Sequence, residues 1–233
     1  MRAVLIVNRA EADPGLVGHE LRRLGYSFTE LIREDWETWP LVEDVSLVVA
    51  MGSAWSTYWQ DVADPVKAEQ TLMAQAIARQ IPIFGICFGA QQLVTVLGGT
   101  VQTARIGEIG WKMVEKVPET ADITPDWLIS GPWLQWHEDS FSVPPGTTLL
   151  ADSKAGPQII VSNGCLGVQF HPEATESIVR MWSQGAGVEE LAHHHLTPEQ
   201  ILNDTRQNID DAHIRCAQLV EWFVENIVTH KGT

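Results

Sequence analysis

Residues 83–91 read Ile83-Phe84-Gly85-Ile86-Cys87-Phe88-Gly89-Ala90-Gln91. An apolar run ends in Gly-x-Cys-x-Gly, and a helical pattern begins at once. A run this short, bounded by glycine, reads as a buried strand. A nucleophile on such a strand-to-helix turn sits in a strained conformation, and flanking glycines let the backbone close around it. The thiol then faces the N-terminal end of a helix, whose unpaired amides favour a thiolate and can hold an oxyanion. The plain alternative is a small buried cysteine in a glycine-rich turn.

Outward from this turn the pattern alternates. Apolar runs at 3–7, 45–51, 81–86 and 165–170 predict strands, and 15–24, 65–79 and 88–97 predict helices. Such alternation argues for an α/β fold with a mainly parallel sheet and helices on both faces. Residues 101–117 and 148–170 look like hairpins or meander strands, which makes part of the sheet antiparallel. Region 118–147 holds five of the twelve prolines and reads as mostly loop. Near the C-terminus, Thr197-Pro198-Glu199-Gln200 carries a cap, a proline at the first helical position and a glutamine three residues past the cap. A stripe through Ile201, Leu202, Ile209, Ala212, Cys216, Leu219, Val220, Phe223 and Ile227 follows, predicting one long helix, or two with a break, over about 198–229.

A second strand end is equally informative: Val168-Gln169-Phe170-His171-Pro172-Glu173. Proline restricts the residue before it to an extended conformation, which aims the His171 ring outward. Glu173 can accept from one ring nitrogen and fix the tautomer, leaving the other nitrogen for a thiol. Open α/β sheets place their sites at the carboxyl ends of strands.

Together these motifs resemble the class I glutamine amidotransferases, closest in flavour to the glutaminase domain of GMP synthases. The likeness covers roughly residues 1–185, with Glu108-Ile109-Gly110 and Trp136-His137-Glu138-Asp139 adding to it. It implies a three-layer α/β/α fold with a central mixed, mostly parallel sheet; the helical extension over 186–233, expected to pack on that domain, departs from the family pattern and is read from the capped apolar stripe. It also implies a catalytic triad of Cys87, His171 and Glu173, with thiolate attack on a γ-carboxamide, departure of ammonia and hydrolysis of a glutamyl thioester. Met51-Gly52-Ser53 resembles the family's Gly-Gly-Pro loop, so the resemblance assigns oxyanion amides to Gly52 and Phe88. By the same resemblance Gln91, Trp136, Glu138 and Asp139 hold the glutamyl part, with Asp139 the candidate for its amino group; two solvated loop acids are the alternative for Glu138 and Asp139. Ser53 departs from the usual proline. After the matching region a helical tail, rather than a synthetase domain, is expected.

Ten tryptophans are unusual for 233 residues. Trp111, Trp182 and Trp222 read as core or helix-packing residues. Trp55, Trp59, Trp133 and Trp136 fall in or beside the loops around the thiol, where they either cover the core or form a leaving-group pocket. His193-His194-His195 reads as a polar loop before the Thr197 cap, since adjacent residues on a helix cannot all face one ion. Cys165 and Cys216 fall in apolar patterns and read as inert core thiols. No metal and no cofactor is implied.

Thirty Asp+Glu against fifteen Lys+Arg give a formal net charge of −15 and a pI near 4.8. Such a surface repels nucleic-acid phosphates and anionic lipid. Three widely spaced cysteines argue for a reducing compartment, and no run reaches the roughly 18 apolar residues of a membrane helix. A soluble, cytoplasmic protein is expected, acting on a small-molecule γ-glutamyl substrate. Two versions of the enzyme compete: a free-standing γ-glutamyl amide hydrolase, with a homodimer as one way to bury the tail, and a glutaminase subunit serving a separate synthetase partner. A catalytically silent scaffold is the reading from another class, and the intact triad counts against it.

Overall fold

Alternation along the first strand sets the layers. In β1 (Arg2–Val7), Ala3, Leu5 and Val7 join one core cluster, and Val4 and Ile6 join another. Successive strand side chains point to opposite faces, so a strand apolar from Ala3 to Val7 must be covered on both. The computed structural model describes residues 1–39 and 44–228. On one face lie Val17 and Leu21 of α1 (Gly15–Arg23) with Leu219 and Phe223 of α6 (Pro198–Phe223). On the other lie Met73 and Ala76 of α2 (Ala63–Ala78) and Leu93 of α3 (Phe88–Val96).

The remaining strands are β2 (Ser27–Ile32), β3 (Leu47–Ala50), β4 (Ile83–Ile86), β5 (Val101–Lys112), β6 (Glu115–Lys116), β7 (Trp133–Phe141), β8 (Thr148–Ser153), β9 (Gly156–Ser162) and β10 (Cys165–Val168). Together with β1, seven of these form one eight-stranded sheet in the order β2-β1-β3-β4-β10-β9-β8-β6. From β2 to β10 the pairs are parallel, and from β10 to β6 they are antiparallel. This is the three-layer α/β/α class with a mixed, mostly parallel sheet that the sequence leads one to expect.

Three expectations need refinement. Region 118–147 is loop and short 3-10 turns over most of its length, but it also holds β7, nine residues that pair with β5 in a separate antiparallel sheet. Its hidden pattern has a physical cause. The buried positions 135, 137 and 139 carry Gln, His and Asp, so polar residues point inward where a strand signature needs apolar ones. Residues 101–117 do not close on themselves, because β5 finds its partner in β7. Residues 176–182 add a helix that the alternation did not announce, α4 (Glu176–Trp182), and the expected helical extension begins with α5 (Ala186–His193).

The Thr197 cap is complete: its hydroxyl accepts from the Gln200 amide at 3.2 Å, and the Gln200 side chain accepts from the Thr197 amide at 2.8 Å. α6 passes into a π-helical turn over Val224–Val228; residue 229 of the expected helix lies outside the described residues. Cys216, Leu219, Val220 and Phe223 sit in the same core cluster as the β1 and β3 side chains. Of the histidine run, His193 ends α5, and His194 and His195 make the turn that follows.

Candidate active site

Two parallel strands bring the two motifs together. β10 pairs with β4 so that Val168 lies opposite Ile86, and the Cys87 amide donates to the Val168 carbonyl at 2.8 Å. Residues separated by 84 positions therefore leave adjacent strand ends. Cys87 sits at φ 49°, ψ −109°, a backbone conformation that costs a side-chain-bearing residue on the order of 1–3 kcal/mol. The glycines beside it are demanded by contact. A Cβ on Gly89 would lie 2.1 Å from the Ala50 carbonyl oxygen, and one on Gly85 would lie 2.7 Å from the Gly89 carbonyl oxygen. α3 can start directly beneath the sheet only because these atoms are missing.

Cys87 is 5% exposed. Its Sγ accepts from the Gln169 side-chain amide at 3.4 Å and lies 3.9 Å from the Trp136 carbonyl oxygen. His171 donates from Nδ1 to Glu173 Oε1 at 2.7 Å, and its amide is held by the Leu134 carbonyl at 2.8 Å. With Nδ1 committed, buried Nε2 has no hydrogen-bond partner among the described residues. Burial by itself would depress the imidazolium. The Glu173 carboxylate and the charge of an ionised Cys87 outweigh burial and hold His171 well above its usual value. Trp182 packs edge-on against this ring, with centroids 4.6 Å apart.

Gly52 closes one side. A Cβ there would lie 3.0 Å from His171 Cε1 and 3.7 Å from Cys87 Cβ, so the loop after β3 touches both motifs. Phe88 is the first residue of α3, where backbone amides lack intrahelical acceptors. Gln91 is buried, one turn further on, and donates to the Gln169 side chain at 3.2 Å.

A cavity of about 420 Å³ opens in front of the thiol. Trp55, Trp59, Trp136, Gln91, Glu138 and Asp139 all reach it, whereas Trp133 does not. Trp133 is 1% exposed, stacks on Phe170 at 4.4 Å and donates its indole N–H to the Leu128 carbonyl at 2.9 Å. The expected pocket role for Trp133 is thus replaced by a core role, because alternation along β7 turns it away from Trp136. Trp182, expected as a core or helix-packing residue, packs against the cluster that holds Ile109, Leu134, Leu191 and Ile201 and also lines the cavity. Trp136, expected on a loop, belongs to β7 and donates to Glu190 of α5 at 2.6 Å.

Asp139 is already engaged. Its two carboxylate oxygens accept from Ser56 at 2.6 Å and Tyr58 at 2.7 Å, which ties down the loop carrying Trp55 and Trp59. Glu138 accepts from the His194 ring at 2.6 Å. Sequence reasoning passed over Glu11, Ser56, Tyr58 and Gln169. Gln169 alone carried a signal, as a polar residue inside the second strand-end motif. Burial pushes the Glu11 carboxyl above the usual range, against the pull of the Ala54 amide. His137, the buried histidine of β7, is pushed down to about 4 by burial, against the pull of its bond to the Asp139 carbonyl.

The family model for glutamine amidotransferase class-I matches residues 60–180, just over half of the chain. The chain belongs to that family. Membership makes this glutamine amidotransferase-like protein an enzyme of the amide-hydrolysing class. It is 28% identical over 177 residues to GMP synthase [glutamine-hydrolyzing] of Helicobacter pylori (strain G27), covering 75% of this chain and 33% of that one. The corresponding enzyme of Marinobacter nauticus is 34% identical over 111 residues, covering 43% and 21%. The chain thus spans about a third of the length of the first of these relatives or less. A solved glutamine amidotransferase from Thermotoga maritima superposes with a TM-score of 0.82 at 28% identity, over 97% of this chain and 99% of that one. A solved glutamine amidotransferase from Methylobacillus flagellatus shares the fold at a TM-score of 0.79 and 22% identity, over 99% and 96%. Among the described residues no helix is long and apolar enough to cross a membrane.

Proposed function

We propose that this amidotransferase-like protein is a cysteine amidase that hydrolyses the γ-amide of glutamine or of an N-substituted γ-glutamyl compound. The observation that carries the proposal is the meeting of Cys87, at a strained turn and a helix N-terminus, with a His171 whose Nδ1 is held by Glu173 and whose Nε2 is unsatisfied. The Cys87 thiolate adds to the γ-carbonyl carbon, and the oxyanion is received by the amides of Gly52 and Phe88. Imidazolium His171 gives its Nε2 proton to the departing nitrogen, the C–N bond breaks, and a γ-glutamyl thioester remains. His171 then takes a proton from water, the hydroxide adds to the thioester carbonyl, and the C–S bond breaks to release glutamate.

The leaving side favours an amine larger than ammonia. Trp55, Trp59, Trp136 and Trp182 wall the cavity, and flat apolar surface gains little from bare ammonia. The lining carries Glu11, Asp13, Glu138, Asp139, Glu173 and Glu190 and, among the described residues, no lysine or arginine. A neutral or cationic amine suits this lining, and an anionic one is repelled. Kinetics of glutamate release from glutamine, a γ-glutamyl alkylamide, γ-glutamylanilide and a γ-glutamyl amino acid test the proposal. The alkyl or aryl amide should exceed glutamine at least about tenfold in kcat/KM, roughly 1.4 kcal/mol, and the amino-acid amide should be poorest.

A second version, a glutaminase subunit feeding ammonia to a separate synthetase, is favoured by the likeness to part of GMP synthases. Glutamine as the best substrate, improved further by an added synthetase, would establish that version and remove the bulky-amine preference. A homodimer is tested in the same preparation by light scattering.

A further inference from the structure

Arg33, directly after β2, is completely buried, and nothing in the chemistry above uses it. All five of its N–H donors are committed. Nε and Nη2 grip the two carboxylate oxygens of Glu69 on α2 at 2.7 and 3.0 Å. Nη1 donates to Asn8 Oδ1 at 2.8 Å and to the Gly52 carbonyl at 3.0 Å, and Nη2 donates to the Met51 carbonyl at 2.8 Å. The guanidinium also lies over the Phe88 ring, 4.8 Å from its centroid.

Two of these bonds have a directional consequence. Carbonyls of consecutive residues repel when they converge, and a shared cation is what lets those of Met51 and Gly52 do so. In a planar trans peptide the C=O and N–H point in opposite directions. Holding the Met51 oxygen therefore turns the Gly52 N–H away from Arg33. Gly52 itself lies against Cys87 and His171. A buried ion pair is weak evidence for net stability, so the effect of this arrangement is geometric.

We propose that Arg33, clamped by Glu69, is a positioning residue for the oxyanion hole: it fixes the peptide that presents the Gly52 amide and braces Phe88, source of the second amide, through its ring. The inference rests on the amidase function proposed above. A lysine is a point charge and cannot hold both carbonyls and the Glu69 carboxylate in one plane.

The test compares turnover with alkylation. Displacement of iodide from iodoacetamide needs the Cys87 thiolate but develops no oxyanion on a carbonyl carbon, whereas amide hydrolysis does. In Arg33→Lys, kcat on the best γ-glutamyl amide should fall about 10²-fold. KM should stay within about threefold and the Cys87 alkylation rate within about twofold, because thiolate and pocket remain. An unchanged kcat, or equal losses of kcat and alkylation rate, overturns the positioning role. If Arg33→Lys fails to fold, Glu69→Gln carries the same comparison, with kcat down about tenfold at unchanged alkylation as the supporting result and equal losses as the overturning one. A wild-type chain that hydrolyses no γ-glutamyl amide overturns the proposed function and this inference together; an active wild type matched by its variant overturns the inference alone.

Discussion

At Cys87 the backbone, the helix end and the histidine act on one sulfur atom, and the three cysteines differ for physical reasons. Burial pushes the Cys165 thiol up to about 11 and the Cys216 thiol well above its ordinary value, so neither forms thiolate near neutral pH. Iodoacetamide should therefore label Cys87 before the other two, read by peptide mass spectrometry; label appearing first on Cys216 would contradict the assignment. Cys87→Ala should abolish turnover with the fold intact, and His171→Ala should cost on the order of 10⁴-fold, since such groups act as a unit. Glu173→Ala should be milder, because water can replace part of an orienting carboxylate. These three residues were legible because each lies in a short local pattern. Trp133 was misplaced because a residue three positions from another faces the opposite side of a strand. Arg33 carried no local signal, since its five hydrogen bonds go to four residues in segments remote in sequence, at 8, 51–52 and 69.

Among the elements, β7 gives the site its polar wall at a cost in acid stability. His137 is buried between Gln135 and the Asp139 carbonyl, and its folded value of about 4 lies below the ordinary 6.5. Above pH 6.5 both folded and unfolded chains hold it neutral, and it contributes nothing. Between 6.5 and about 4 only the unfolded chain takes up the proton, so stability falls as pH falls, by up to about 3 kcal/mol. Urea unfolding at neutral and mildly acidic pH should show this loss, and His137→Gln should make the dependence shallower. An equally steep dependence in the variant would assign the acid loss to other groups. The same inward polar residues explain why β7 escaped detection while β1, apolar from Ala3 to Val7, and β4 did not.

In the whole molecule, the C-terminal helices complete both the core and the cavity. Leu219, Val220 and Phe223 of α6 lie among sheet residues, while Ala186, Gly187 and Glu190 of α5 line the cavity, with Glu190 holding Trp136. A chain ending at Gly185 should lose cooperative thermal unfolding and aggregate, measured by melting and light scattering; a soluble, equally stable and active truncation would refute this role. What the sequence determined by itself was the alternation of layers, the strained turn at Cys87, the His171–Glu173 pair and the capped amphipathic tail. All of these are periodicities or short motifs, written within a few turns of chain. Only the tertiary structure decided that β5 pairs with β7, which tryptophans face the thiol, and that Arg33 reaches the Gly52 loop. Those depend on segments tens of residues apart meeting in one register, and side-chain direction there follows from packing that no local pattern encodes.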